Sequence, residues 1–590
     1  MASVRVPQAV ARAAATIRPG GAGGHGRLLL ELDLTGGLGV APPSDLLGRL
    51  QAARALTMTV AVRKLAEAED DPAVRGLVAK VGGGRLRLAQ AQEIAAAVRS
   101  FRAAGKRAWA WAETFGELGP GTPGYTVAAA FDEVWLQPSG DVGLTGVAVE
   151  GVFLREALHR AGIEPQFDQR YEYKSAADRL LQREFTPANR EASERVATSA
   201  LDQVVTEVAG GRLLAPDVVR DLVDRAPLSS TEALEARLVD RLGYRHEVYA
   251  TAREATGEGV RLRYLAAYSR HRPPAEHARE TVRRRVAQRR SGVVALVHAV
   301  GEIRLGRGGR GLQGPALGSD SLSAALRAAA DDDAVRALVL RVDSPGGSYV
   351  ASDVIWGALT AFSATGKPLV VSMGTVAGSG GYFISCPADV IVALPTTLTG
   401  SIGVLGGKPV VTDLLRRWGV GTDAVIAGRH ARMASVRARY SEDEWQRLQE
   451  TLDRIYDDFT GKVALARGLD RDRVHEVARG RLWTGADARD RGLVDELGGL
   501  RRAAELARER AGLPYDAQLR PFPHVPLLGR LRRPKSSEDP GGVAAGAPPG
   551  GAAGVLTELL DGTAGSVGEL LEALGQGPGA LLLMPPVVLR

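Results

Sequence analysis

Short apolar runs alternate with longer stretches of helical period along most of this chain, which predicts strand and helix in turn. Leu28 to Leu34 and Val293 to Val297 each read as a buried strand. In the second half, Ala337 to Val342 is expected as a strand, Ala351 to Ser363 as a helix and Leu369 to Met373 as a strand. A helix should start over Ser379 to Cys386, and Val390 to Ala393 returns to strand. Alternation at this spacing argues an α/β fold with mainly parallel strands. Two longer amphipathic helices stand apart. Ser441 to Leu465 opens with Ser441-Glu442-Asp443-Glu444, which fits a capping box. Thr186 to Val208 opens with Thr186-Pro187, a cap followed by proline at the first helical position.

The pattern also repeats. Val74-Arg75-Gly76-Leu77-Val78 returns as Val335-Arg336-Ala337-Leu338-Val339, 261 residues later, and Gly105-Lys106 returns as Gly366-Lys367 at the same interval. Asp132 to Pro138 aligns with Asp389 to Pro395 at 257, and Leu238-Val239-Asp240 with Leu493-Val494-Asp495 at 255. A spacing that drifts in small steps is what two copies of one domain show after loop insertions and deletions. The expected organisation is a flexible segment 1–26, a first domain 27–250, a basic linker 251–290, a second domain 291–513 and a tail 514–590. Within the tail, Pro534 to Gly554 cannot build a core, and Leu556 to Leu574 has helical spacing.

Composition changes this picture little. The chain is 45% hydrophobic and 24% charged with a net charge of +7, which by itself argues no nucleic-acid role. The linker's Arg283-Arg284-Arg285 and Arg289-Arg290 lack interleaved aromatics, so they read as a solvated or anionic-lipid-facing helix. A single cysteine, Cys386, excludes a disulfide framework and a multi-cysteine metal site. No metal and no cofactor is expected. No run reaches the roughly 18 to 20 apolar residues that span a bilayer. Ala580 to Leu589 is apolar but broken by Pro585-Pro586, and is expected as a terminal strand or docking segment rather than an anchor.

Two glycine-rich turns of the second copy carry the candidate chemistry. Asp343-Ser344-Pro345-Gly346-Gly347-Ser348 and Ala377-Gly378-Ser379-Gly380-Gly381 each lie between a strand and a helix. Amides freed at such junctions can stabilise an oxyanion, and a Gly-flanked serine at a helix start has the layout of a nucleophile elbow. A phosphate-binding turn, or two tight packing turns, fits the same layout. The first copy reads Gly121-Thr122-Pro123-Gly124-Tyr125 where the second has Gly378-Ser379-Gly380-Gly381-Tyr382. A nucleophilic serine needs a base. His298, His430 and His475 lie in no triad-like turn, whereas Tyr171-Glu172-Tyr173-Lys174-Ser175 places a lysine in a chain that prefers arginine. The second copy has Ala431 at the matching position. One copy keeps the lysine, the other the serine.

Taken together, the Asp343 to Gly347 turn, Gly378 to Tyr382, Leu398-Thr399-Gly400-Ser401-Ile402-Gly403 and Tyr173-Lys174-Ser175 resemble the signal peptide peptidase A (protease IV) family in its long, duplicated form. The resemblance covers about residues 28–513. It implies two tandem Clp-protease/crotonase-like domains and a serine peptidase acting on hydrophobic peptides such as cleaved signal peptides. It implies Ser379 as nucleophile, Lys174 as general base and Ser401 as the group orienting the lysine. The oxyanion hole would combine the Gly380 amide with one from Gly346-Gly347. A free lysine, with pKa about 10.4, must fall about three units to act as a base, a destabilisation of the ammonium of roughly 4 kcal/mol. Burial without a carboxylate partner supplies this, so Glu172 and Asp178 should point away. The resemblance further implies a homotetrameric bowl and membrane association. Residues 1–27 supply no anchor, which leaves peripheral contact or a cytoplasmic location as the alternative. A noncatalytic, chaperone-like scaffold and a crotonase-like acyl-thioester enzyme share the fold; the latter's usual carboxylate base is not visible near the glycine turns.

Overall fold

The computed structural model describes residues 27–40, 56–82, 85–117, 119–257, 259–270, 292–311, 314–523 and 579–585. The segment 1–26, the Arg283–Arg290 cluster, the Pro534–Gly554 tract and the Leu556–Leu574 stretch lie outside them.

Each half builds the same parallel sheet. In the first half the strands lie in the order Arg241–Leu242, Glu133–Leu136, Arg107–Ala112, Val74–Lys80, Leu28–Asp33, Arg261–Tyr264, every neighbouring pair parallel. In the second, Glu496–Leu497, Val390–Ala393, Leu369–Gly378, Val335–Ser344, Val293–Val300 and Leu519–Pro521 repeat that order, again parallel. Parallel strands need crossovers, whose helices bury the sheet's faces; that is why these strands read as continuous apolar runs. Internal ties repeat as well. The Tyr125 hydroxyl donates to the Leu238 carbonyl at 2.6 Å, and Tyr382 to Leu493 at 2.9 Å. The Ala108 amide donates to Asp132 at 2.8 Å, and Leu369 to Asp389 at 2.7 Å.

The long helices occupy Pro187–Arg212 and Glu442–Arg467. Thr186 Oγ1 caps the first by accepting from the Asn189 amide at 3.2 Å. At the second, Ser441 Oγ accepts from the Glu444 amide at 3.2 Å while Glu444 accepts from the Ser441 amide at 2.9 Å, closing the capping box. Two elements differ from expectation. The helix after Ser379 spans only Gly380–Phe383. Helix Arg245–Thr256 and edge strand Arg261–Tyr264 extend the first sheet into the stretch expected as a basic linker. Val260 and Leu262 hold that strand against Leu29, Val78 and Trp109, an apolar signal too short to stand out among its arginines.

A third sheet joins the copies. Its order is Gly309–Gly311, Gly314–Gly318, Glu302–Arg304, Gly346–Ser348, Gly579–Leu583, Leu405–Val410, Glu164–Gln169. The first copy's Glu164–Gln169 pairs antiparallel with all of Leu405–Val410. Elsewhere between the copies, the buried pair Glu93–Arg341 closes at 2.6 Å, and Gln92 accepts from the Thr396 hydroxyl at 2.7 Å. The apolar segment expected as a terminal strand is one, over Gly579–Leu583. Among the described residues no helix is long and apolar enough to cross a membrane.

Candidate active site

Ser379 sits at the bend between the Leu369–Gly378 strand and the Gly380–Phe383 helix, with φ 55° and ψ −113°. Non-glycine residues seldom hold such angles, which cost on the order of 1–3 kcal/mol and persist only where the surroundings over-determine them. Here the Ser379 amide donates to the Gly400 carbonyl at 2.8 Å, and the Ser379 carbonyl accepts from the Phe383 amide at 2.8 Å. Position 380 leaves little room for a side chain. A Cβ there would lie 2.9 Å from Ser352 Oγ, 3.0 Å from Gly346 Cα and 3.1 Å from Gly347 N. The two glycine turns are therefore packed against each other. The Gly346 amide donates to Ser344 Oγ at 3.2 Å, and that hydroxyl donates to the Gly301 carbonyl at 2.6 Å.

Lys174 reaches this bend from the other copy. The Glu164–Gln169 strand carries the chain to it, and the Arg170 amide donates to the Val404 carbonyl at 2.9 Å. The lysine side chain is completely buried. Its Nζ lies 2.7 Å from Ser379 Oγ, 3.0 Å from Ser401 Oγ and 2.8 Å from the Ser401 carbonyl oxygen. Ser401 follows the Leu398–Gly400 strand, whose Gly400 pairs with Gly378, so both serines leave neighbouring strands at the same level. Burial alone pushes the Lys174 amine far below the ordinary lysine range, since no carboxylate offsets it. Glu172 is ion-paired with Arg479 instead. Asp178 accepts from Asn189 Nδ2 at 3.2 Å, and burial raises its carboxyl to about 6.

The residues singled out by sequence do not all converge. Thr122, the first-copy counterpart at the bend, is buried and donates to the Gly146 carbonyl at 3.0 Å. His475 Nδ1 pairs with the Tyr456 hydroxyl at 3.0 Å, and His430 faces Asp443 at 3.2 Å. Burial and Arg341 lower His298 to about 4. Among the described residues no histidine hydrogen-bonds Ser379. Near the bend, Val376 packs with Val196, Leu398, Leu482 and Met584. Leu405 faces Phe167 and Leu180 of the first copy, and Val350 is exposed. Gly480 escaped sequence reasoning. A Cβ there would come within 2.5 Å of the Lys174 backbone, yet a lone glycine between Arg479 and Arg481 gives no signal of that packing.

The model of peptidase family S49 matches residues 100–258 and 361–514, one stretch in each half. "Protease 4" of Salmonella typhi is 32% identical over 463 residues, covering 76% of this chain and 71% of its own length. "Serine protease SPPA, chloroplastic" of Arabidopsis thaliana is 28% identical over 417 residues, 70% of this chain and 59% of its own. Among solved structures, a ClpP1 mutant from Listeria monocytogenes aligns over 38% of this chain and 99% of its own, with 15% identity and a TM-score of 0.24.

Proposed function

Because the chain belongs to peptidase family S49 and is thereby a serine peptidase, we propose that it cleaves hydrophobic peptides with a Ser379–Lys174 dyad through an acyl-enzyme. The observation that carries this reading is the 2.7 Å contact between a fully buried, carboxylate-free lysine and a serine on a strained bend.

The hydrogen-bond inventory suits a base. A neutral amine has two N–H groups and one lone pair. The Ser401 carbonyl can only accept, so it takes one N–H, and Ser401 Oγ takes the other. The lone pair is then left for the Ser379 hydroxyl proton. After transfer, the ammonium's three N–H groups meet the same three oxygens, so no buried donor is orphaned in either state. Ser401 thus fixes the amine's direction. As Ser379 Oγ attacks, negative charge develops on the substrate carbonyl oxygen, where the Gly380 amide and one amide of the Gly346-Gly347 turn stabilise it. Lys174 next protonates the leaving nitrogen, and then takes a proton from the water that hydrolyses the ester. The apolar surroundings of Val376 favour substrates with an aliphatic residue before the scissile bond over basic ones. Assembly as a homotetramer and peripheral membrane contact belong to the same reading and rest on the family alone.

Turnover of a fluorogenic aliphatic peptide tests this reading. Ser379→Ala and Lys174→Ala should each fall to about a thousandth of wild type or below, with the fold intact by circular dichroism. Activity retained in either variant, or a profile dominated by cleavage after Lys or Arg, would overturn it.

A further inference from the structure

The turn 171–174, closed by the Lys174 amide on the Tyr171 carbonyl at 3.2 Å, is gripped by the second copy from two sides. On one side Gly480 lies against the Lys174 backbone, and its amide donates to the Ile402 carbonyl at 2.8 Å. Glu172 pairs with Arg479, and the Tyr173 ring lies 4.7 Å from the Arg481 guanidinium and 5.5 Å from that of Arg479. On the other side stands Tyr171. Its ring centroid is 4.6 Å from that of Tyr456, on the Glu442–Arg467 helix, and 4.7 Å from that of His475, on the Arg471–Val477 helix. Tyr456 and His475 are joined to each other, hydroxyl to Nδ1, so the seat is fixed before Tyr171 meets it. Tyr171 holds φ at 64°, the left-handed region that glycine favours. A bulky aromatic keeps such a conformation only where its surroundings enforce it. Among the described residues its hydroxyl has no hydrogen-bond partner, and the side chain is 43% exposed. The enforcing contacts are those of the ring.

We infer that Tyr171 is a positioning residue for the reaction: its ring, seated on Tyr456 and His475, pins the left-handed turn that brings the Lys174 amine to Ser379. This rests on the dyad reading above and deepens it by naming what keeps the amine in place. Two properties depend on the pin. A turn free to relax carries the amine out of line, and a displacement of about 1 Å can cost about a hundredfold in rate. Relaxation also admits water to an amine whose low pKa comes from burial, so that pKa climbs back toward about 10.4. The charged groups around the turn are paired with one another, Glu172 with Arg479 and Glu191 with Arg481, and Tyr173 donates its hydroxyl to Glu191.

The test measures kcat, KM and the pH profile of kcat/KM for the fluorogenic peptide in the full chain. Tyr171→Ala should lower kcat about ten- to a hundredfold with KM within about twofold, because neither Tyr456 nor His475 lines the Val376 pocket. The midpoint of its profile should move up by about one unit or more, so that the deficit is greatest at neutral pH. Tyr171→Phe keeps the ring and should match wild type in both respects. Tyr171→Gly, relieved of the strain, should recover part of what Tyr171→Ala loses. Wild-type kcat and midpoint in Tyr171→Ala would overturn the inference, as would a Phe variant as impaired as Ala or a Gly variant no better than Ala. His475→Phe keeps a ring and removes the titrating group. Its midpoint should stay in place, and a shift would show that the profile reports the histidine. Adding Tyr171→Ala to Lys174→Ala should cost nothing further, since Tyr171 acts through the lysine; an additional loss would contradict that route. Lys174→Ala alone separates the two readings. An active Lys174→Ala chain refutes the dyad, whereas an inactive one beside an unimpaired Tyr171→Ala refutes only the role of Tyr171.

Discussion

At the scale of single residues, Lys174 decides the pH behaviour. Burial lowers its folded-state pKa, so between that value and the unfolded value near 10.4 the unfolded chain holds the extra proton. Its contribution to stability therefore rises with pH across that window and is lowest below the folded pKa. On the proposed mechanism, activity follows the same protonation. The kcat/KM profile should rise with pH and level off well below 10, and a midpoint at the free-lysine value would show the amine is not the base. Lys174→Arg should be as inactive as Lys174→Ala, because a guanidinium with pKa above about 12 cannot accept the proton. The meeting of Lys174 with Ser379 and Ser401 could be expected from sequence because each sits in a short motif and the lysine and Ser379 are each missing from one copy. Gly480 and the pocket of Val196, Leu398 and Leu482 could not. Their roles arise from contacts across hundreds of positions, and nothing local marks them.

At the scale of elements, caps and interfaces set the stability. Ser441→Ala removes one half of the capping box and should cost about 1 kcal/mol in a urea titration. Glu93→Gln should cost more, about 3–5 kcal/mol, because it leaves the Arg341 guanidinium without its buried counter-charge; a loss below 1 kcal/mol would mean that water reaches the pair. The central strands were legible as apolar runs because both faces of each sheet are covered. The Arg261–Tyr264 edge strand was hidden by its charged flanks. The third sheet was hidden as well, since its strands are short, glycine-rich and drawn from both copies and the tail. Sequence periodicity has no access to such pairing.

At the scale of the molecule, the proposed dyad is one site that duplication has divided between two halves of one chain. The first copy supplies Lys174 on the far side of an antiparallel pairing with Leu405–Val410, and the second supplies both serines and the glycine turns. Since both partners come from the same chain, mixing Ser379→Ala with Lys174→Ala protein should restore no activity. Rescue toward a quarter of wild type would show that chains exchange halves. The most direct measurement of the proposed divided dyad is labelling by a serine-reactive peptidyl phosphonate, mapped by mass spectrometry. Ser379 should carry the adduct, and Lys174→Ala should slow labelling at least about a hundredfold with the fold unchanged, on the order of what loss of a general base costs. An adduct on another residue, or labelling of Lys174→Ala at the wild-type rate, would contradict it.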